Sequence, residues 1–291
     1  MLARLFVLLQ YLLPRHWLTA IVYRIAHIRV PAVKDILIRS FVRLYDVDLE
    51  EVRRSAPGDF KSLNDFFTRE LRDGARPIDG EPDAIVSPVD GTISVASTID
   101  SHSLLQAKGL HYSLDELFVI DLDEARTYAN GAFATIYLAP CNYHRVHMPI
   151  AGELVAAHYV PGELYSVNEA TVARVPGLFR RNERLNLHFK TPGGPAALIF
   201  VGALNVGSIS TPWTGEIRPR KRGVVESLDI DAAPGSLDKG DLLGWFNMGS
   251  TIILLLPQGT VAWQKNLIPG SPVHMGEKIG VRSGRGFGTN P

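Results

Sequence analysis

The chain has 291 residues, enough for one large domain or two small ones with a substantial core. Its apolar fraction of 46% and its mean hydropathy of +0.06 exclude a polytopic membrane protein. A single cysteine, Cys141, excludes an intramolecular disulfide framework, gives no cysteine-based zinc site and fits a reducing compartment.

The net charge of zero conceals an uneven distribution along the chain. Residues 1–44 hold seven of the 30 Lys and Arg residues but only one of the 30 acidic residues, Asp35. The front therefore carries a charge of about +6 and the remainder about −6. The net charge of the whole chain is therefore no guide to the partners of the basic segment 1–44.

The chain opens with an apolar segment that is too short to cross a bilayer. The run from Leu5 to Leu13 is interrupted by Gln10 and closed by Pro14, whereas a spanning helix needs about 20 apolar residues. A signal peptide stays open because Arg4 precedes this run, although no small-x-small cleavage motif follows.

The next residues have the spacing of an amphipathic helix. Leu18, Val22 and Ile25 recur at i, i+4 and i+7, among arginines and close to Trp17 and Tyr23. This mixture predicts a helix lying in the headgroup region of an anionic membrane. The alternative is a pair of amphipathic helices packed on the body of the protein.

Helical patterning continues to about residue 76. Residues 32–54 read as a further helix, which the segment SAPG breaks at 55–58. Ser62 then stands as a cap with Asp65 three residues later, which resembles a capping box at the start of a short helix. The segment DGARPID ends a helical, membrane-associating region that we assign to residues 1–76.

After Pro77 the sequence changes to short β-forming runs between Gly and Pro turns, such as AFATIYLAP and TIILLLPQGTVAW. Two pairs of turns are alike, SPVDGTI with MPIAGELV and KGDLLG with MGEKIG, as in the barrel-sandwich folds of biotinyl and lipoyl carriers. Ordinary hairpin turns are the alternative. The predicted fold class is α+β, with N-terminal amphipathic helices followed by a β-rich, barrel-sandwich-like catalytic domain over residues 77–291.

Two histidines, His144 and His147, stand close together in APCNYHRVHMP. On a helix this spacing could chelate a metal ion, but Pro140 and Pro149 make a regular helix unfavourable here and no third ligand is evident. No metal site is expected. The segment instead predicts a crowded turn in which both rings face one site.

Asp90 in SPVDGT and the dipeptide Gly249-Ser250 complete a set of reactive groups. A serine hydroxyl becomes nucleophilic when a histidine takes its proton and a carboxylate orients that histidine. The G-x-S-x-G frame of many serine hydrolases is missing around Ser250. The preceding glycine, which tolerates a strained backbone, points to the Gly-Ser peptide bond as the target. An N-to-O acyl shift and β-elimination there would cut the chain and leave a pyruvoyl group.

Several segments resemble those of the bacterial phosphatidylserine decarboxylase proenzymes. NMGSTII is similar to the family's L-G-S-T processing motif, SPVDGTI to its aspartate segment, and YHRVHMP matches its histidine segment. Similarity extends to LQYLLPRHWLT, LNDFFTRELRDGARPID, LQAKGLHYSL, VPGELYSVN, VPGLFRRNER and VGALNVGSI. It covers about residues 8 to 280 in the family's order. The departure is Met248 in place of leucine, which nearly conserves volume.

The resemblance implies a role for each matching position. Asp90 and His147 activate Ser250 for cleavage between Gly249 and Ser250, which yields a β chain (1–249) and a 42-residue α chain (250–291). Ser250 becomes a covalent pyruvoyl group, which forms a Schiff base with the amine of phosphatidylserine. His144 serves the decarboxylation step by protonating the carbon that loses carbon dioxide, and phosphatidylethanolamine is released. No diffusible cofactor is needed.

A lipid substrate implies attachment to an anionic bilayer, and we expect a peripheral protein on the cytoplasmic face of the cell membrane. No nucleic acid is expected as a partner, and a homodimer is left open. Arg145 and the tract from Arg218 to Arg222 are candidate phosphate contacts, although a solvated basic turn is the simpler role for the tract.

Two other classes of protein stay open at this point. A serine hydrolase would use the same Ser250, His147 and Asp90 on an ester without cutting its own chain. A carrier domain would present a lysine at a tight hairpin, but Lys239 in LDKGDL lacks the flanking methionines typical of such domains.

Overall fold

A computed structural model describes residues 2–119, 122–205 and 208–283. The helices in these ranges are α1 (Leu2–Leu12), α2 (Arg15–Ala26), α3 (Pro31–Tyr45), α4 (Leu63–Phe67), α5 (Leu114–Phe118), α6 (Leu122–Thr127), α7 (Glu169–Val172) and α8 (Leu178–Arg181). The strands are β1 (Ala84–Val86), β2 (Gly91–Thr98), β3 (Ser103–Ala107), β4 (Leu110–Ser113), β5 (Ala132–Tyr137), β6 (Arg145–His147), β7 (Glu153–Val160), β8 (Arg184–Thr191), β9 (Gly194–Val201), β10 (Ile209–Thr211), β11 (Gly215–Ile217), β12 (Glu226–Ser227), β13 (Leu242–Phe246), β14 (Thr251–Leu256), β15 (Val261–Trp263), β16 (Pro272–Val273) and β17 (Lys278–Arg282). Helices in front of a β-rich body confirm the predicted α+β class.

The third helix is shorter than the sequence pattern over 32–54 indicated. α3 begins at Pro31, whose missing N–H is no loss in a first turn, and ends at Tyr45. Asp46 stops it by adopting a left-handed conformation with φ of 52°. Within the described ranges, no helix combines the length and the apolar character needed to cross a membrane.

The predicted cap of the short fourth helix is confirmed. The Ser62 side chain accepts a hydrogen bond from the backbone N–H of Asp65 at 3.2 Å. The carboxylate of Asp65 accepts from the backbone N–H of Lys61 at 2.8 Å, one residue before the cap. The start of α4 is therefore held from both sides, which positions its aromatic residues.

The body is a set of open antiparallel sheets. The largest has eight strands in the order β12-β7-β8-β9-β14-β5-β2-β16, and a four-stranded sheet has the order β11-β10-β13-β6. A three-stranded sheet (β1-β17-β15) and the β3-β4 hairpin complete the body. None of these sheets closes into a barrel over the residues that the structure describes.

Strand β14 lies in the middle of the largest sheet, between β9 and β5. All six of its residues are buried, which explains why TIILLL is continuously apolar instead of alternating. Its pairing runs from Thr251 opposite Tyr137 to Leu256 opposite Ala132. The residue before Thr251 is therefore held at the edge of the main core.

Helices α2, α3 and α4 contribute to a second, smaller core, whereas Val7 of α1 packs in the main core of the body. The buried members of the second core include Ile38 and Phe41 of α3 and Phe66 and Phe67 of α4. Cys141 and Met248 of the body pack against this cluster, so the helices are docked on the loops around the candidate site. Cys141 is a partly exposed free cysteine.

Candidate active site

The Gly249–Ser250 bond lies where the chain crosses from one sheet to another. β13 belongs to the four-stranded sheet and ends at Phe246, whereas β14 belongs to the eight-stranded sheet and begins at Thr251. The carbonyl oxygen of Ser250 accepts a hydrogen bond from the backbone N–H of Leu138 at 2.9 Å. Ser250 is thus hydrogen-bonded to the strand core, whereas Gly249 belongs to the short connection between β13 and β14.

Ser250 itself is fully buried, and its Oγ has no hydrogen-bond partner among the described groups. Buried hydroxyls are normally paired, so an unpaired one next to a glycine is unusual. A Cβ built on Gly249 would lie 3.4 Å from Nε2 of His144 and 3.4 Å from the carbonyl oxygen of Leu138. The backbone of Gly249 does not have a positive φ, so the left-handed strain that its residue type permits is not observed.

His144 presents an unpaired ring nitrogen to this peptide bond. Its Nδ1–H donates to the carbonyl oxygen of Asn142 at 2.8 Å, which makes Nε2 the unprotonated nitrogen, and Nε2 has no partner among the described groups. The ring is fully buried against Phe67, with centroids 4.1 Å apart. Burial, reinforced by the charge of Arg69, lowers the pKa of His144 to about 3. The imidazole is therefore a neutral base at physiological pH.

Arg69 of the helical region fixes the loop that carries His144. Its Nη2 donates to the carbonyl oxygens of Cys141 at 2.7 Å and Asn142 at 3.2 Å. The Asn142 side chain accepts from the backbone N–H of Ala139 at 2.7 Å, forming a tight turn. A buried guanidinium bound to two carbonyls holds the loop in one conformation.

His147, on β6, has both ring nitrogens engaged. Nδ1–H donates to the carbonyl oxygen of Gly240 at 2.7 Å, and Nε2 accepts from the hydroxyl of Tyr143 at 3.0 Å. Burial lowers the pKa of His147, whereas the bond to Gly240 and the negative charge of Asp90 act in the opposite direction. Burial also raises the pKa of Tyr143 to about 12, which keeps its proton on the hydroxyl.

Asp90 lies in the connection between β1 and β2, and its buried carboxylate is fully occupied. Arg76 Nε donates to Oδ1 at 2.9 Å and Arg76 Nη2 to Oδ2 at 2.7 Å. The backbone N–H of Met275 also donates to Oδ1 at 2.8 Å. Arg76 also binds the carboxylate of Glu51, with Nη2 2.7 Å from Oε2.

The predicted residues therefore do not form one hydrogen-bonded chain, and the rings of His144 and His147 contact different groups instead of facing one site. His144 faces Gly249, whereas the contacts of His147 and Asp90 go to other groups, and none of the described hydrogen bonds joins Asp90, His147 and Ser250. The negative charge of Asp90 nevertheless raises the pKa of His147, against the larger lowering that burial causes. Within the described ranges, no three His, Cys, Asp or Glu side chains converge to hold a metal ion.

A cleft of about 160 Å³ reaches the Gly249 end of the site. Phe41 and Tyr45 of α3 and Phe67 of α4 contribute to its lining, together with Met248 and Gly249. The N-terminal helices therefore form part of the wall of the candidate site.

Sequence reasoning missed Asn247, which precedes the cleavage motif. Its buried side chain donates to the hydroxyls of Ser208 at 2.6 Å and Ser210 at 3.0 Å, and it accepts from Asn64 at 3.1 Å. These contacts tie the chain just before Gly249 and Ser250 to β10, to the residue before it and to α4. Only its position beside the motif could have indicated this role.

The candidate phosphate contacts are paired with carboxylates. Arg145 lies 3.1 Å from Glu70, and Lys221 lies 3.6 Å from Glu163. Arg218 and Arg220 pair with Glu216 and Glu226 in the same way. Lys239, the candidate carrier lysine, donates to the carbonyl oxygen of Glu81 at 2.8 Å.

Comparison with known proteins assigns this chain to a family. The family model described as phosphatidylserine decarboxylase matches residues 63–281, and a second model, described as PSD, matches residues 5–46. The phosphatidylserine decarboxylase proenzyme of Methylococcus capsulatus is 46% identical over 277 residues, covering 95% of this chain and 96% of that protein. The proenzymes of Hahella chejuensis (43% over 277 residues, 95% and 93%) and Bordetella pertussis (45% over 281 residues, 96% and 94%) are similar over comparable lengths. The chain belongs to the phosphatidylserine decarboxylase family.

Proposed function

We propose that this chain is a proenzyme that cuts itself between Gly249 and Ser250, and that the cut form decarboxylates phosphatidylserine to phosphatidylethanolamine as a step of phospholipid biosynthesis. Family membership supports the reaction. The observation that carries the self-cleavage is the buried hydroxyl of Ser250, which has no partner among the described groups and directly follows a glycine.

The cleavage needs only groups of the chain itself and water. Oγ of Ser250 attacks the carbonyl carbon of Gly249 and loses its proton, and the C–N bond breaks to give an ester and a free amine at residue 250. Loss of the α proton of residue 250 then expels the Gly249 carboxylate. The remaining dehydroalanine takes up water and releases ammonia, which leaves a pyruvoyl group at residue 250.

We assign the proton transfer from Ser250 to His147, assisted by Asp90. In the uncut chain Nε2 of His147 is occupied by the Tyr143 hydroxyl, which is a neutral and exchangeable partner. His147 must exchange this contact for Oγ of Ser250. The charge of Asp90, which counteracts the effect of burial on the pKa of His147, favours the protonated ring that results.

The residues present fit a pyruvoyl group at position 250. The position is buried, its Oγ and the nearby Nε2 of His144 have no partners among the described groups, and a cleft reaches the neighbouring Gly249. Once formed, the group supplies a carbonyl for the amine of phosphatidylserine and a sink for the electron pair left by carbon dioxide.

His144 serves the proton transfers of the decarboxylation. Because its pKa of about 3 keeps it neutral, it cannot act as an acid until it has gained a proton. The ammonium group of the bound substrate must lose protons to become nucleophilic, so His144 accepts one at Nε2. It then returns this proton to the carbon from which carbon dioxide has left.

After cleavage we expect the two chains to stay together. The α chain (250–291) begins with β14, which pairs with β9 and β5 of the β chain (1–249) on its two sides. Residues 284–291 of the α chain lie outside the described residues. The second core, to which α2, α3 and α4 contribute, supports a division into a membrane-associating region (1–76) and a catalytic domain (77–291), with α1 packed on the catalytic domain through Val7.

The N-terminal helices support peripheral attachment to the cytoplasmic face of an anionic membrane. Large apolar side chains are exposed along all three helices, including Leu12 (82%), Trp17 (64%) and Leu44 (74%). Exposed arginines lie on α2 and α3 at positions 24, 39 and 43, and Arg29 is exposed in the connection between these two helices. Apolar side chains that enter the headgroup region beside cations that contact anionic lipid explain this combination.

The first test is the intact mass of the purified protein under denaturing conditions. We expect two chains that separate at Gly249/Ser250, the smaller one lighter by one ammonia than its serine-terminated form. Ser250→Ala and His147→Ala should each leave a single uncut chain, whereas His144→Ala should be cut but fail to release carbon dioxide from phosphatidylserine. An uncut wild-type chain that a fluorophosphonate labels at Ser250 would instead identify a serine hydrolase.

A further inference from the structure

An apolar groove of about 580 Å³ lies beside the catalytic cleft. Strands β2 and β3 form one side and α7 the other, so we name it the β2–α7 groove. Its lining includes the buried side chains of Ile93, Val95 and Val172 and the smaller Ala107 and Ala173. A groove of this size and character is typical of sites for apolar ligands.

Two features of the fold hold this groove open. The register between β2 and β5 shifts between Ile93 and Val95, which makes Ser94 an extra residue of a β-bulge that bends the strand. On β3, the buried side chain of Gln106 donates to the carbonyl oxygens of Val172 and Val175 at 2.7 and 2.8 Å. This amide ties the C-terminal end of α7 to β3 at a fixed distance.

The groove adjoins the cleft that reaches Gly249. Tyr137 and Val167 line both the groove and the catalytic cleft. Tyr137 is also the strand partner of Thr251, the residue directly after Ser250. A molecule whose polar end reaches residue 250 can therefore place an apolar extension along the groove.

The groove also lies close to the proposed membrane-binding helices. α7 separates it from α1, and the side chain of Gln10 on α1 donates to the hydroxyl of Thr171 on α7 at 3.0 Å. The exposed apolar side chains of α1 therefore lie one helix away from the groove. A lipid that leaves the bilayer beside α1 needs to move only a short distance to enter it.

We propose that the β2–α7 groove binds one acyl chain of the phospholipid substrate while its serine headgroup occupies the catalytic cleft. The proposal rests on the proposed function, because it takes a diacyl phospholipid as the substrate. It explains why a headgroup cleft of only about 160 Å³ adjoins a larger apolar space. An acyl chain in the groove removes methylene groups from water and positions the amine at residue 250.

The test fills the groove from opposite walls with Ala107→Trp and Ala173→Trp. Each variant is assayed on dihexadecanoyl and on dibutanoyl phosphatidylserine in detergent micelles. Because burying two methylenes changes an equilibrium by about tenfold, we expect kcat/KM for the long-chain substrate to fall by about tenfold or more. The value for the short-chain substrate should change by less than about twofold, since a four-carbon chain buries few methylenes. The matched control is Ala262→Trp on β15, where the alanine is exposed outside the groove.

Long-chain rates equal to those of the Ala262→Trp control would overturn the proposal, and so would equal losses on both substrates.

A second measurement does not depend on folding of the variants. Wild-type protein is irradiated with a phosphatidylserine that carries a diazirine in one acyl chain, and the modified peptides are identified. Labelling of residues 92–95, 105–108 or 167–173 supports the groove, and labelling elsewhere overturns it. Failure of the proposed function is distinct, because wild-type protein would then release no carbon dioxide from either substrate.

Discussion

The guanidinium of Arg76 forms a hydrogen-bonded ion pair with the carboxylate of Asp90, with Nε 2.9 Å from Oδ1 and Nη2 2.7 Å from Oδ2. Both side chains are almost completely buried. Asp90 is therefore fixed in position. Its negative charge raises the pKa of His147 without a hydrogen bond between the two side chains. Arg76 is a positioning residue for the carboxylate on which self-cleavage depends in our proposal.

Replacement of Arg76 by glutamine should destabilise the protein and slow its cleavage. Removing one partner of a buried ion pair leaves an uncompensated charge, so we expect the free energy of unfolding to fall by about 3 kcal/mol. Urea unfolding in a Ser250→Ala background, where the chain stays uncut, measures this loss. The fraction of uncut chain in the otherwise wild-type background measures the cleavage.

The matched control is Arg53→Gln. Arg53 pairs with Glu70 at 3.4 Å on the surface, where such a pair contributes less than about 1 kcal/mol. If both variants lose the same small amount of stability and cut at the wild-type rate, Arg76 does not position Asp90.

Gly249→Ala should fold normally and yet cut slowly. The new methyl group would make ordinary contacts at 3.4 Å with His144 and Leu138, and no positive φ forbids it. It would nevertheless stand next to the Gly249 carbonyl carbon that Oγ of Ser250 attacks in our proposal, and it would crowd that approach. Because small displacements of reacting groups are costly, we expect cleavage to slow by about a hundredfold, followed by mass spectrometry over time.

Gly58→Ala provides the control for this change. A Cβ at Gly58 meets no atom within 4 Å, so the same substitution should leave cleavage unchanged. Wild-type cleavage in Gly249→Ala would show that a side chain beside the Gly249 carbonyl does not hinder the attack of Ser250.

Local patterns in the sequence were enough to predict the helical front, the cap at Ser62 and the apolar strand after Ser250. These features depend on neighbours within one turn or one strand. The helix over 32–54 was predicted too long because the left-handed conformation of Asp46, which ends it, has no strong signal in its residue type.

The partners of the site residues depend on contacts that no local pattern contains. The Asn64–Asn247 bond joins positions 183 residues apart, and His147 binds Gly240 across 93 residues. The sequence therefore suggested candidate reactive groups, which stay predictions, but it did not indicate that Arg76 binds Asp90 or that the Tyr143 hydroxyl donates to His147. The predicted hydrogen-bonded chain from Asp90 to Ser250 stays a prediction for the reacting state.

The buried neutral state of His144 predicts that acid destabilises the protein. Its pKa is about 3 in the folded chain, against about 6.5 when unfolded, so below pH 6.5 the unfolded chain binds the proton first. Stability contributed by His144 is complete above pH 6.5 and falls by about 1.4 kcal/mol per pH unit as the pH decreases towards 3. The pKa values of His16 and His147 are lowered too and add to the same slope.

The test is urea unfolding between pH 4.5 and 7.5 in the Ser250→Ala background, with and without His144→Asn. The variant should lose stability less steeply below pH 6.5. His111→Asn, at an exposed position, should keep the original slope. An unchanged slope in His144→Asn would mean that the ring is not held neutral by burial.

Charges placed on the exposed apolar side chains of the front helices should weaken membrane binding without unfolding the protein. Leu12→Glu combined with Trp17→Glu alters two side chains that are mostly exposed, so the core is untouched. Each side chain that enters the interface contributes on the order of 1–2 kcal/mol, so we expect partitioning into vesicles rich in phosphatidylglycerol to fall about tenfold or more. Added salt should weaken the binding of the wild-type protein as well, because its exposed arginines are screened.

The control pair is Val224→Glu with Ile268→Glu, two exposed apolar side chains of the body outside the helices. This pair should bind vesicles like the wild-type protein, as measured by co-sedimentation. If the helix variant binds equally well but changes from dimer to monomer in light scattering, the apolar face contacts a second copy of the chain instead of lipid. A loss confined to the helix variant, at unchanged oligomeric state, assigns the face to the membrane.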